Sequence, residues 1–165
     1  MNILITVGIF PPDIGGPASF VPKITNHLIN MDNKVKIICL ADEENLMLKH
    51  ELDVLRIKRS TFLPIRWFKT ISLIIKYGKE SDILFVNCLG VEAAIANLYL
   101  RKKIVRKIVW YPVWERFYNK KRTSKTFDEF QNINQNLNVR IQKLITALKL
   151  QNSKEVKLIC MNSIY

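Results

Sequence analysis

The chain has 165 residues, 48% of them apolar, and a net charge of +12 from 26 basic and 14 acidic side chains. That apolar content excludes a disordered chain and suits one domain, residues 1–165, with a real core. Three widely separated cysteines without a C-x-x-C pair point to a reducing compartment and give no sign of a metal site. The cationic excess favours an anionic partner (a phosphorylated ligand, acidic lipid headgroups or nucleic acid), unless it reflects only a lysine-rich proteome.

Residues 3–10 are apolar but lack a basic n-region and run into Pro11 and Pro12, so no secretory signal is read there. "ILITV" (3–7) is a β-branched strand. The connection after it, "GIFPPDIGGPASF" (8–20), is longer than the roughly 2–6 residues that a strand-to-helix link needs. Pro11 and Pro12 are expected to hold it extended, while Gly15 and Gly16 let a ligand approach the main chain. The helix is expected to begin between Pro17 and Ser19, which places Pro22 in the first turn, where its missing N–H costs nothing. Free amides around 15–21 would then face a ligand crevice with the helix dipole behind them, a setting for phosphate or carboxylate. The alternative is a Gly-Gly turn that only closes a loop. Neither G-x-G-x-x-G nor G-x-x-x-x-G-K-[ST] occurs, which argues against a dinucleotide fingerprint and a P-loop.

Phe20, Ile24, Leu28 and Met31 recur at helical spacing and predict a core-facing stripe. "VKIICL" (35–40) and "DVLRIK" (53–58) are the next strands. Asp42 between them could take a ribose hydroxyl or, beside Glu43 and Glu44, belong to a solvated acidic loop. A helix is predicted over 65–77, facing inward through Trp67/Phe68, Ile71 and Ile74/Ile75. The strand "DILFVN" (82–87) and a short helix over 91–100 follow; Asn87, Glu92 and Asn97 argue against a membrane span there. After the strand "KIVRKIVW" (103–110), a long helix is expected over 127–150, capped by Thr126 and Glu129, with "VKLICM" (156–161) as the last strand. Cys39, Cys88 and Cys160 each end or lie near such a strand and read as small buried thiols.

Strands alternating with helices predict an α/β fold, Rossmann-like and doubly wound, with a mainly parallel sheet covered on both faces. Ligands of such sheets sit beyond the carboxyl ends of the strands where strand order reverses, and the loop after the first strand lies at that point.

The opening 40 residues, with a strand, a loop ending in Gly-Gly, a helix and a second strand, resemble family 4 glycosyltransferases of the GT-B fold. "DILFVNCLGVEAAIANLYLRKKIVRKIV" and "VKLICMNSIY" are similar to later segments of that family. Two places depart from it. Asp32-Asn33-Lys34-Val35 stands where the family has a "G-H-x-V"-like turn, and "KIVWYPVWE" (107–115) stands where related members carry "K-I-V-G-D-Y-A-W-E".

The resemblance implies the N-terminal, acceptor-side half of a GT-B architecture, with retention at the anomeric carbon, no required metal and no tightly bound cofactor. A nucleotide sugar would be the co-substrate, and Gly15 and Gly16 would lie against its diphosphate. Acceptor contacts would come from Asn87, Tyr111 and Trp114. Glu115 is the nearest carboxylate candidate for catalysis where the family's aspartate is replaced, the other reading being a surface acid at a helix start. The chain is expected to stop before a donor-binding domain and to be inactive alone, with a separate donor-domain polypeptide as partner. The acceptor would be a glycan or a lipid-linked sugar of cell-envelope polysaccharide synthesis.

"WYPVWERFY" followed by Lys120, Lys121, Arg122 and Lys125, together with Arg66, Trp67, Phe68 and Lys69, suggests attraction to an anionic membrane surface. The other reading is core aromatics followed by a solvated loop. The expected location is cytoplasmic, peripheral at the inner face of the membrane. A non-catalytic sugar- or phosphate-binding domain is the alternative function. Nucleic-acid binding is disfavoured, because no binding module is recognisable and the basic residues are scattered.

Overall fold

The computed structural model describes residues 1–42 and 52–108, and the backbone alone of 156–160. In chain order the elements are β1 (Asn2–Val7), α1 (Gly16–Asn30), β2 (Lys34–Ala41), β3 (Asp53–Lys58), α2 (Leu63–Gly78), β4 (Ile83–Val86), α3 (Gly90–Leu100), β5 (Lys103–Ile108) and β6 (Val156–Cys160). They build one six-stranded sheet in the order β3-β2-β1-β4-β5-β6. Every neighbouring pair is parallel, with Ile5 opposite both Ile37 and Phe85 at the centre. This is a Rossmann-like doubly wound domain. The chain winds outward from β1 to β3, then returns to lay β4 on the other side of β1, so strand order reverses between β1 and β4.

Two cores result. Ile3, Ile5 and Val7 of β1 point to one face with Val35, Ile37, Cys39 and Phe85, under Val21 of α1. Leu4 points the other way, joining Ile38, Ile57, Leu84 and Ile104 beneath Ile74 of α2 and Ala93 and Ala96 of α3. A strand covered on both faces reads as a nearly continuous apolar run, which is why "ILITV" shows no alternation, and its one polar side chain, Thr6, is buried with its hydroxyl bonded to the Cys88 carbonyl. Each fully buried Leu or Ile contributes about 1.5–3 kcal/mol from burial, and Leu4, Ile5, Ile37, Ile38 and Leu84 are all sealed from solvent.

Several sequence expectations need correction. α1 begins at Gly16, with Pro17 in its first turn, so Pro22 lies inside the helix. There it removes the hydrogen bond that its N–H would have made to the Ala18 carbonyl. The centre of α1's buried face is Ala18, Val21 and Thr25. Phe20, Ile24 and Leu28 flank it as half-buried residues, while Met31, the C-cap, is exposed because the helix has ended.

In α2 the buried positions are Thr70, Ile74 and Gly78. Trp67 and Phe68 are exposed, because the first two turns overhang the sheet. Cys39 is buried as expected, but Cys88 is exposed, since it falls in the connection after β4 rather than within the strand. The expected helix over 127–150, with its Thr126–Glu129 cap, lies outside the described residues.

Candidate functional site

The carboxyl ends of β1 and β4 meet at Thr6. Its backbone oxygen accepts from the amides of Asn87 (3.0 Å) and Cys88 (3.1 Å), and its hydroxyl donates to the Cys88 carbonyl at 2.8 Å. Gly8 then passes so close to Cys88 that a Cβ there would lie 3.2 Å from the Cys88 Sγ. The two connections that bound the crevice, 8–15 after β1 and 87–89 after β4, are thus in direct contact.

The first connection is turned, not extended. The Asp13 amide donates back to the Phe10 carbonyl at 3.1 Å, across a cis Pro11–Pro12 peptide. Phe10 buries its ring in the α1-side core. Two arginines from the β3 side hold the turn. Arg56 Nη2 donates to the Pro11 carbonyl at 3.0 Å. Arg59 donates to Asp13 Oδ2 at 2.5 Å and to both oxygens of Asp42, at 2.9 and 3.1 Å. Asp42 is therefore engaged with Arg59 as part of this brace.

Beyond the brace the chain enters α1 through Gly15, at φ 154° and ψ 170°. That region is essentially closed to residues with a Cβ, and a Cβ on Gly15 would also lie 2.6 Å from Ile9 Cδ1. Around Gly16 a Cβ would meet nothing within 4 Å, so the backbone there is open. No side chain caps the helix, which leaves its first N–H groups to water or a ligand. With the helix dipole behind them, these groups favour an anion.

The β5 strand ends beside this crevice with two cations on opposite faces. Arg106, paired with Val86 across the sheet, packs its guanidinium against the start of α3. A Cβ on Gly90 would lie 2.7 Å from Arg106 Nη2. Burial lowers the Arg106 pKa, and the Cys88 thiol opposes that shift. Lys107 turns to the other face and lies 3.1 Å from the centroid of the Phe20 ring on α1; burial lowers its pKa too. Among the described residues neither cation has a carboxylate partner. α3 itself starts without a side-chain cap, after Leu89 in the left-handed region. Nearby, Asn87 Nδ2 is buried without a hydrogen-bond partner among the described residues.

Of the residues singled out from sequence, Gly15, Gly16 and Asn87 come together on this edge. Tyr111, Trp114 and Glu115 lie outside the described residues. Sequence reading missed Gly8, Arg59, Gly90, Arg106 and Lys107. The basic pair in "KIVRKIVW" was the available signal, because charge at the carboxyl end of a buried strand has little reason to be there except to meet the crevice. No three of His, Cys, Asp and Glu converge as a metal site among the described residues. A hollow at the opposite edge is lined by Lys36, Asp53, Tyr77 and Glu80. There Lys36 pairs with Asp53, and its ammonium lies 4.6 Å from the Tyr77 ring centre.

Topology and crevice together define a Rossmann-like domain of the kind that builds GT-B proteins. Two solved structures share the fold. One is an alpha-glucosyltransferase in complex with UDP and a 13-mer DNA containing a HMU base, at a TM-score of 0.51 and 11% identity, over 96% of this chain and 37% of that one. The other is a putative UDP-N-acetylglucosamine 2-epimerase from Listeria monocytogenes, at 0.50 and 11%, over 94% of this chain and 37% of that one. The chain thus spans about 37% of the length of either structure. No protein-family model matches the sequence, and no curated protein matches it.

Proposed function

We propose that residues 1–165 are the acceptor-side domain of a retaining glycosyltransferase, one half of a GT-B architecture that uses a nucleotide-sugar donor. The observation that carries this reading is the start of α1. An uncapped helix terminus, opened by Gly16 and braced by Arg59, sits at the reversal of strand order. The family 4 resemblance of the same loop supports it, and so does a fold shared with a UDP-bound glucosyltransferase.

In the proposed reaction the bond from the anomeric carbon to the donor's phosphate oxygen breaks. The nucleoside diphosphate leaves with the electron pair, a bond forms to an acceptor hydroxyl oxygen, and the hydroxyl proton is lost. Negative charge grows on the diphosphate as that bond breaks. Fixed amides and a dipole aimed at it stabilise the transition state more than the ground state. Arg106 and Lys107 add positive potential along the same edge. Asn87, Tyr111 and Trp114 are the acceptor contacts, with Glu115 as the carboxylate near the reacting hydroxyl. The opposite wall of the cleft is a donor-binding domain, on the same or a separate polypeptide.

Titration with UDP or pyrophosphate, read as a rise in thermal midpoint, tests the reading. Gly16→Val should remove the rise without altering the unliganded midpoint, since a side chain there meets only the ligand. Unchanged stabilisation in that variant would mean that the loop is only a turn.

A further inference from the structure

Ligands of doubly wound sheets take the carboxyl edge, but the amino edge of this sheet carries a concavity of its own. A hollow of about 250 Å³ lies between the end of α2 and the starts of β1, β2 and β3. Lys34, Lys36, Asp53 and Glu80 line it, so two ammonium groups stand with two carboxylates on a chain whose net charge is +12. Lys36 is held from two sides. It pairs with Asp53, and its ammonium lies 4.6 Å from the centre of the Tyr77 ring. Asn2 donates through Nδ2 to the Glu80 carbonyl at 2.9 Å, which leaves its Oδ1 to accept. Lys34 and Glu80 make no ion pair among the described residues.

These groups select the chemistry of a ligand. An anion would meet Asp53 and Glu80, and a cation would meet Lys34 and Lys36, each against like charge. A neutral polyol meets neither obstacle, because a hydroxyl both donates and accepts. Adjacent hydroxyls of a sugar ring can give one hydrogen bond to a carboxylate and take one from an ammonium, and both bonds are charge-assisted. Lys36 beside Asp53 presents such a pair ready-made. The volume falls below the roughly 300–1,000 Å³ of pockets for drug-sized ligands, so it admits one sugar ring and not a nucleotide.

We propose that this hollow binds one pyranose unit of a saccharide, through Lys36 and Asp53, with Lys34, Glu80 and Asn2 around them. The site is separate from the crevice, since the six residues of β1 place about 20 Å between the two edges. Binding there does not depend on the transfer reaction. If the reading of the preceding section holds, the hollow is a second holding point for a glycan acceptor long enough to pass from one edge to the other.

The test is NMR titration of the nitrogen-15-labelled full chain, without nucleotide. The probes are D-glucose, D-galactose, D-mannose and N-acetylglucosamine, with glutamine as a zwitterion of similar size. At least one sugar should shift the amides of Lys36, Asp53 and Tyr77, with a Kd of about 1–10 mM for so few atoms. Lys36→Met, which keeps the stem beside Tyr77, and Asp53→Ala should each weaken that binding about tenfold. Both should keep the thermal midpoint, because the pair they break is partly solvated. No response to any of the four sugars, undiminished binding in the double variant, or a stronger response to glutamine would each overturn the proposal. So would shifts confined to the amides of Gly15, Gly16, Ala18 and Ser19, although these would leave the transferase reading standing. The Gly16→Val titration reads the crevice and this one reads the amino edge, so the two readings fail separately.

Discussion

Arg59 and Asp13 stand 46 positions apart in the chain, yet Arg59 Nη2 and Asp13 Oδ2 are 2.5 Å apart at the mouth of the crevice. The same guanidinium holds Asp42 with its other nitrogen, and the Arg59 carbonyl accepts from Arg66 Nη1 at 2.5 Å. One residue therefore links the turn before α1, the end of β2 and the start of α2. Its role is positional: it holds the turn that leads into Gly15 and Gly16.

Arg59→Ala should accordingly cost only about 1 kcal/mol of stability, because the pairs it makes are partly solvated. Urea unfolding would measure that. The larger effect should fall on anion binding, as a freed turn must be re-ordered each time a ligand arrives. Weakening of pyrophosphate binding by clearly more than the stability loss is the expected result. Arg59→Lys should recover only part of it, since one ammonium cannot serve two carboxylates in fixed directions.

The two adjacent glycines should respond differently to the same change. Gly15→Ala forces a Cβ into a backbone region suited to glycine and against Ile9, which should cost about 1–3 kcal/mol. Gly16→Ala meets open space and should stay within about 0.5 kcal/mol of wild type. Parallel thermal melts of the two variants decide this, and equal destabilisation would contradict the loop geometry described above.

Arg106 is half-buried beside an uncapped helix start, where its charge is opposed by desolvation and by the positive end of the dipole. Arg106→Met should leave the unliganded protein as stable as wild type or slightly more so. It should lower affinity for diphosphate about tenfold, by removing a charge-assisted contact. Calorimetric titration of both forms would show this.

Cys39 supplies a pH signature of the α1-side core. Burial raises its thiol pKa from 9.0 to about 11, a shift trimmed by Arg56 and Arg59 and assisted by Asp13. Between those values the unfolded chain has lost the proton and the folded chain keeps it, so the unfolded state binds fewer protons and stability falls as pH rises. The contribution is fully present below about pH 9 and is lost through pH 11, by about 2–3 kcal/mol. Cys39→Ala should flatten that part of the stability–pH curve, as measured by denaturant unfolding at alkaline pH.

The six strands, the three helices described between them and the position of the Gly15–Gly16 loop follow from the sequence alone. These follow from short-range causes: β-branched runs buried on both faces, helical spacing of apolar residues, and Gly-Gly at a helix start. That Gly15, Gly16 and Asn87 lie at the carboxyl edge of the sheet was legible because each ends or follows such a run. Tertiary structure decided what periodicity cannot encode, namely where a neighbouring layer stops. Trp67 and Phe68 continue α2's apolar pattern but overhang the sheet, so they meet solvent. Cys88 looked like core and instead lies in a connection. Pro22 fell inside a helix whose start was set by Gly15 and not by the prolines. The Arg59 brace and the Arg106–Gly90 contact join segments far apart in the chain, and parallel strand pairing alone brings such segments to one edge.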